Sequence, residues 1–193
     1  HLVLRRQRQM CIRDRDQFEP GSTFKVVPTV SALYNGLISL NDEFNCEDGS
    51  FEYHTKKITD HESYSMLTAS QIIHHSSNIG IIKIMDQVGR KKLFSMSRDF
   101  GFGSKTGINL NGEVSGKLNH YNDWSAVSLG MIAMGHEVGV TAIQLASAYC
   151  ALANGGYLLK PRIVQQIMDE SENIIYSEEP VVLRKIANES TIK

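Results

Sequence analysis

The sequence predicts a mixed α/β domain in which helices dominate, and three observations predict it. Phe24, Val27, Val30 and Leu33 recur every three positions, as one buried helix face requires. Thr68-Ala69-Ser70-Gln71 and Thr141-Ala142-Ile143-Gln144 are two capping-box patterns, each ahead of an apolar run. Ile163, Ile167, Ile174 and Ile175 flank the polar stretch Asp169-Glu170-Ser171-Glu172-Asn173, which is the pattern of a β-hairpin.

Taken in order, Pro20-Gly21 supplies a tight turn into a helix that starts at Ser22. The helix is expected to end near Tyr34, because Asn35-Gly36 favours the left-handed conformation that stops helices. Residues 39–63 are polar and contain glycine, which predicts a long excursion with short strands. The Thr68 box opens a helix over Ile72-Ile73 that ends at His74-His75-Ser76-Ser77-Asn78. Asn78 is expected to cap the next helix, Ile79 to Val88, which Gly89 stops. A short helix follows over Lys91 to Arg98, then a glycine-rich turn region at Phe100-Gly101-Phe102-Gly103 and Thr106-Gly107. The Thr141 box opens a strong helix to Ala153, ended by Asn154-Gly155-Gly156.

A chain of 193 residues that is 41% hydrophobic can bury a single real core. The net charge of −1 offers no global basic field for nucleic acid or an anionic membrane. Cys11, Cys46 and Cys150 lack metal-type spacing, and their odd count argues against a disulfide framework. No run of about 18 apolar residues is present, so no spanning segment is expected within these residues. Met10-Cys11-Ile12-Arg13-Asp14-Arg15 resembles translated adapter sequence, so residues 1–15 are read as a non-native or disordered tail. Adjacent His74-His75 is read as structural rather than metal-binding, and His136-Glu137 as a loop pair. Tyr121 and Trp124 are assigned to packing rather than to a substrate groove, and the glycines to turns.

The chemistry concentrates at Ser22-Thr23-Phe24-Lys25. Positions three apart share a helix face, so the Lys25 amine can reach the Ser22 hydroxyl. A buried amine with a lowered pKa can accept a serine proton and make it a nucleophile. Helix N-termini also favour the negative charge that develops there. Ser190-Thr191-Ile192-Lys193 has the same spacing at the C-terminus and is discounted. A second hydroxyl and an amide come from Ser76-x-Asn78, at a helix-to-helix junction. Its rivals are less well placed: Ser39-Leu40-Asn41 lies beyond the far end of the Ser22 helix, and Ser171-Glu172-Asn173 in the hairpin tip.

Four ordered segments carry a family resemblance: Glu19 to Lys25, Ser76 to Gly80, Phe100 to Gly103 with Thr106-Gly107 and Gly112-Glu113, and Thr141 to Gly156. Together they resemble the transpeptidase domain of class B penicillin-binding proteins, over roughly residues 16–193. The resemblance implies a β-lactamase/transpeptidase-like fold, here mostly its helical part with an unfinished antiparallel sheet. It implies Ser22 as the acylated nucleophile, Lys25 as its base, Ser76 as a proton relay and Asn78 as a substrate contact. It further implies peptidoglycan stem peptides and β-lactams as ligands, other wall-synthesis proteins as partners, no cofactor or metal, and an extracytoplasmic site at the inner membrane. The family's third motif is a Lys-(Ser/Thr)-Gly strand. Lys105-Thr106-Gly107 matches in letters but precedes the Thr141 helix, whereas the family places the motif after it, so it is read as a decoy. Activity is therefore expected of the parent protein rather than of this segment. Two rival readings remain beside it: a serine β-lactamase, for which no Glu-x-x-Leu-Asn segment follows Asn78, and a non-catalytic penicillin-sensing or scaffolding domain.

Overall fold

A computed structural model describes residues 15–192. The tail reading of residues 1–15 thus falls outside the described residues except at Arg15, whose guanidinium donates to the Asn111 carbonyl at 3.0 Å. Cys11 lies outside them as well.

The first helix begins differently from the expectation. Gly21–Lys25 is a 3₁₀ turn, and only then does α1 (Val26–Tyr34) run as an α-helix. Pro28 supplies the reason: without an N–H it cannot donate to the Phe24 carbonyl four residues back, so no α-helical bond can close there. The expected end holds, with Asn35 as cap and Gly36 at φ +63°.

The excursion contains three short strands, β1 (Glu43–Asn45), β2 (Ser50–Tyr53) and β3 (Lys56–Thr59), followed by β4 (Met66–Thr68). β1 pairs antiparallel with β4 and β2 with β3. Thr68 then caps α2 (Ala69–His74), with both bonds of the predicted capping box formed. α3 (Asn78–Val88) follows and is stopped at Gly89. Its cap is Ser77, whose hydroxyl accepts from the Gly80 N–H; Asn78 is already the first helical residue, so the helix starts one residue earlier than expected.

α3 is the hub of the core. Ile79, Ile81, Ile82, Ile84, Met85 and Val88 are buried around its circumference, the composition of a helix enclosed on all sides. Gly80 lets α2 approach it, since a Cβ there would fall 2.4 Å from Ile72 Cγ1. α1, α4 (Arg90–Asp99) and α5 (Ser128–Ala133) pack against it, with Phe24 and Phe102 rings 5.1 Å apart in the same core. α5 was not foreseen; its six residues are too few for a periodic signal.

α6 (Ala142–Ala153) opens at the second capping box as expected. The Gln144 side chain of that box is buried and also donates to the Ser104 and Ser115 carbonyls, which fastens the glycine-rich loop to α6. β5 (Tyr157–Leu159) pairs with β8 (Val182–Lys185), and the predicted hairpin appears as β6 (Gln166–Met168) with β7 (Ile174–Ser177). A short α7 (Glu189–Ile192) closes the described chain. The described sheet is therefore four separate antiparallel pairs beside a helical core, in keeping with an unfinished sheet. Ile167, Met168, Ile174, Ile175 and Val182 on its last two pairs stay exposed.

Candidate active site

The segment that leads into Ser22 is fastened from below. Phe18 and Val140 exchange backbone hydrogen bonds at 3.0 and 2.9 Å, and Gly21 N–H donates to the Gly135 carbonyl at 3.1 Å. Glu19 accepts from the Glu137 N–H at 2.9 Å and faces His136 Nδ1 at 3.0 Å, contacts that hold its carboxyl below the usual range. Gly135 is needed at φ +83°, and a Cβ on it would lie 2.1 Å from the Gly21 carbonyl oxygen. The His136-Glu137 loop pair was read correctly from sequence, but its partner Glu19, remote in the chain, carried no local signal.

Ser22 then sits exposed at the start of the 3₁₀ turn, and its side chain bonds to no other described residue. Residues three apart eclipse one another in such a turn, so Ser22 and Lys25 share a face. Thr23 ties the turn back with a 2.7 Å bond to the Pro20 carbonyl and accepts at its own carbonyl from the Tyr149 hydroxyl on α6.

Lys25 is 2% exposed. Its Nζ donates to the Ser76 carbonyl at 2.5 Å, Ser76 Oγ at 3.1 Å and Asn78 Oδ1 at 2.7 Å, so all three ammonium protons are engaged. Burial lowers its pKa from 10.5 to about 8, opposed by the nearby Asp60 charge. The structure thus brings Lys25, Ser76 and Asn78 into one cluster; Ser22 stands on the same face with no bond to it.

Ser76 reaches this position through local geometry. It follows the cap residue of α2 at φ +56°, with its N–H on the Ile73 carbonyl and the Ser77 N–H on the Ile72 carbonyl, the paired bonds of a Schellman ending. Serine is an unusual choice at a position that normally selects glycine. Asn78 is oriented at both ends of its amide, since Nδ2 donates to the Thr59 carbonyl at 2.9 Å while Oδ1 faces Lys25.

Asp60, in the β3–β4 connection, was not singled out from the sequence. Its Oδ1 accepts from the N–H groups of Asn78 and Ile79 at 2.5 and 3.2 Å, and its Oδ2 from Ser77 Oγ at 2.5 Å. The only signal available was a lone aspartate after a β-rich stretch, which matches countless turn residues.

The other sequence-marked residues sit elsewhere. Lys105-Thr106-Gly107 is in a loop, not a strand, and Glu113 holds it through Thr106 N–H, Thr106 Oγ1 and Gly107 N–H at 2.6, 2.5 and 3.1 Å. His75 Nδ1 lies 3.1 Å from the Tyr64 hydroxyl, and His74 stacks edge-on against His75. Trp124 is buried beside Phe94 and donates to the Asn119 carbonyl, as a packing residue does. Among the described residues there is no cluster of three potential metal ligands, and no helix long and apolar enough to cross a membrane.

Three comparisons bear on this geometry. The family profile described as "Penicillin binding protein transpeptidase domain" matches residues 7–193. Stage V sporulation protein D of Bacillus subtilis is 31% identical over 179 residues, 91% of this chain and 28% of the relative. Peptidoglycan D,D-transpeptidase FtsI of Escherichia coli K12 is 32% identical over 141 residues, 73% of this chain and 24% of the relative. The chain therefore spans about a quarter of the length of these curated relatives. The transpeptidase domain of penicillin-binding protein 3 from Burkholderia pseudomallei superimposes with a TM-score of 0.82 at 26% identity, covering 93% of this chain and 51% of that one. Penicillin-binding protein 3 from Mycobacterium tuberculosis in complex with ampicillin shares the fold at a TM-score of 0.82 and 24% identity, over 94% of this chain and 40% of that one.

Proposed function

This chain belongs to the penicillin-binding protein transpeptidase family, and from that premise we propose that it is the nucleophile-bearing part of a peptidoglycan D,D-transpeptidase. The observation that carries the reading is the buried Lys25, bonded to Ser76 and Asn78 on the face it shares with an exposed Ser22.

In this reading neutral Lys25 takes the Ser22 proton as Ser22 Oγ attacks the penultimate D-alanine carbonyl of a stem peptide. The negative charge that develops on the substrate oxygen meets the Ser22 N–H, which lies in the first turn and lacks an intrahelical acceptor. As the peptide C–N bond breaks, Ser76 hands its proton to the departing D-alanine amine and is reprotonated by Lys25, 3.1 Å away. The ester on Ser22 is then attacked by an amine of a neighbouring peptide; a new amide forms and Ser22 recovers its proton. Asn78 orients the donor peptide. A β-lactam enters the same first step and stays attached because its leaving amine remains tethered. Stem peptides, β-lactams and other wall-synthesis proteins are thus its proposed partners, on the extracytoplasmic face of the inner membrane.

The test is intact-mass analysis of the complete gene product with benzylpenicillin, beside a Ser22→Ala variant. One long-lived adduct per chain, absent from the variant, is expected. An adduct that persists in the variant, or none in either protein, overturns the reading; an adduct that turns over within minutes favours a β-lactamase.

A further inference from the structure

Asp60 has a place in this site that its sequence position gives no hint of. Its carboxylate accepts from three donors, Ser77 Oγ and the N–H groups of Asn78 and Ile79. With Ser77 Oγ holding the Gly80 N–H, the first three N–H groups of α3 are all satisfied by this pair of side chains. The residues so clamped are the ones that flank and include the Lys25 partners: Ser76 directly precedes Ser77, and Asn78 supplies the Oδ1 that Lys25 touches. The adjoining Thr59 carbonyl takes the other end of the Asn78 amide. Two consecutive residues, Thr59 at the end of β3 and Asp60 just after it, therefore fix both the backbone and the side chain of Asn78.

The second consequence is electrostatic. Lys25 has no carboxylate among its hydrogen-bond partners; they are one carbonyl, one hydroxyl and one amide oxygen. The α2–α3 turn offers it only neutral Ser76 and Asn78, and Tyr149 of α6 spends its hydroxyl on the Thr23 carbonyl. Among the described residues, Asp60 is the ionised group that acts on it, across the turn rather than in contact.

We propose that Asp60 is the positioning residue of the acylation site: it fixes the Ser76–Asn78 turn against Lys25 and places a single negative charge near the amine without touching it. A directly paired carboxylate would hold Lys25 protonated, and no carboxylate would leave the Asn78 and Ile79 N–H groups without their acceptor and the buried ammonium without a counter-charge. Asp60 acts between those limits. It touches neither Ser22 nor any reacting atom.

The inference rests on the acyl-transfer reading, and the experiment separates the two. Benzylpenicillin acylation rates are measured by intact mass from about pH 6 to about pH 10 on the complete gene product, as wild type, Asp60→Asn, Asp60→Glu and Ser77→Ala. Asp60→Asn is expected to lower the high-pH plateau roughly tenfold or more through misplacement of the turn, and to move the acidic limb to lower pH because the counter-charge is gone. Asp60→Glu keeps the charge, so its plateau falls while the limb stays. Ser77→Ala removes one donor to the carboxylate, so it too loses plateau with an unmoved limb. An Asp60→Asn protein with the wild-type plateau and limb overturns the proposal. So does one whose plateau falls with an unmoved limb, since that reduces Asp60 to a helix cap. If Asp60→Asn does not fold, Asp60→Glu and Ser77→Ala decide, and wild-type rates in both overturn it. A wild type with no Ser22 adduct at any pH refutes the acyl-transfer reading and this inference together.

Discussion

Lys25 Nζ lies 2.7 Å from Asn78 Oδ1, across 53 residues of sequence. That contact joins a 3₁₀ turn to the start of the central helix and fixes how the amine is used. Burial brings the Lys25 pKa down to about 8, so the neutral amine is populated near physiological pH. Acylation of Ser22 should climb as pH rises through about 8 and level off above it, because only the neutral form accepts a proton. Lys25→Arg should lose about a hundredfold or more in acylation rate at every pH, read with benzylpenicillin by intact mass. A wild-type rate that stays flat across that window refutes the base role.

The same shift has a sign in stability. Folded Lys25 gives up its proton near 8 and the unfolded side chain near 10.5, so between these values the unfolded chain binds more protons. Stability from this group therefore rises with pH across that window, by about 3 kcal/mol at most. The difference in urea unfolding free energy between wild type and Lys25→Met should shift toward the wild type over the same range. No change in that difference would mean that the amine is not buried as described.

Ser76 at φ +56° separates hydroxyl chemistry from backbone strain. Ser76→Gly and Ser76→Ala both remove the hydroxyl that Lys25 touches while keeping the carbonyl, so both should acylate far more slowly than wild type. Only glycine relieves the left-handed conformation, and it should be the more stable of the two by about 1 kcal/mol. Equal chemical denaturation midpoints for the pair would contradict the geometry.

Gly135→Ala should shift the nucleophile turn itself. Its Cβ would meet the Gly21 backbone at 2.1 Å, and φ +83° adds strain, so a loss of about 2 kcal/mol or more is expected. The acylation rate should fall as well, because Gly21 directly precedes Ser22. A variant with unaltered stability and rate would show that the clamp on Gly21 is dispensable.

Lys105-Thr106-Gly107 serves as the negative control. Lys105→Ala should leave Ser22 acylation within about twofold of wild type, whereas Glu113→Gln should cost about 1–3 kcal/mol by weakening three half-buried bonds to Thr106 and Gly107. A large acylation defect in Lys105→Ala would return this motif to the active site.

Local signals in the sequence were read well, and remote ones were not. The two capping boxes, the Asn35-Gly36 stop and the Asp169–Asn173 hairpin tip each depend on residues within a few positions of one another, so their chemistry is visible in order. The 3₁₀ start was legible in principle, through Pro28, but the apolar spacing of three suits both helix types. The Ser77 cap was misplaced by one residue because serine and asparagine are equally good caps and adjoin each other. Type and spacing single out Lys25, Ser76 and Asn78 as candidates, yet their mutual contact is a product of α2 and α3 packing through Gly80. Asp60 and Glu19 act on residues 17 to 118 positions away, and nothing local distinguishes them from surface carboxylates.

The apolar side chains left open along β6, β7 and β8, among them Ile167 at 49%, Ile174 at 56% and Val182 at 55%, also affect how these experiments must be run. Short paired strands with greasy outer faces attract other molecules of the same kind and bind reporter dyes that brighten in nonpolar surroundings. A dye-based melting curve on this segment would begin bright and lose its contrast. Circular dichroism at low concentration, with detergent kept below its micelle threshold, is the better thermometer.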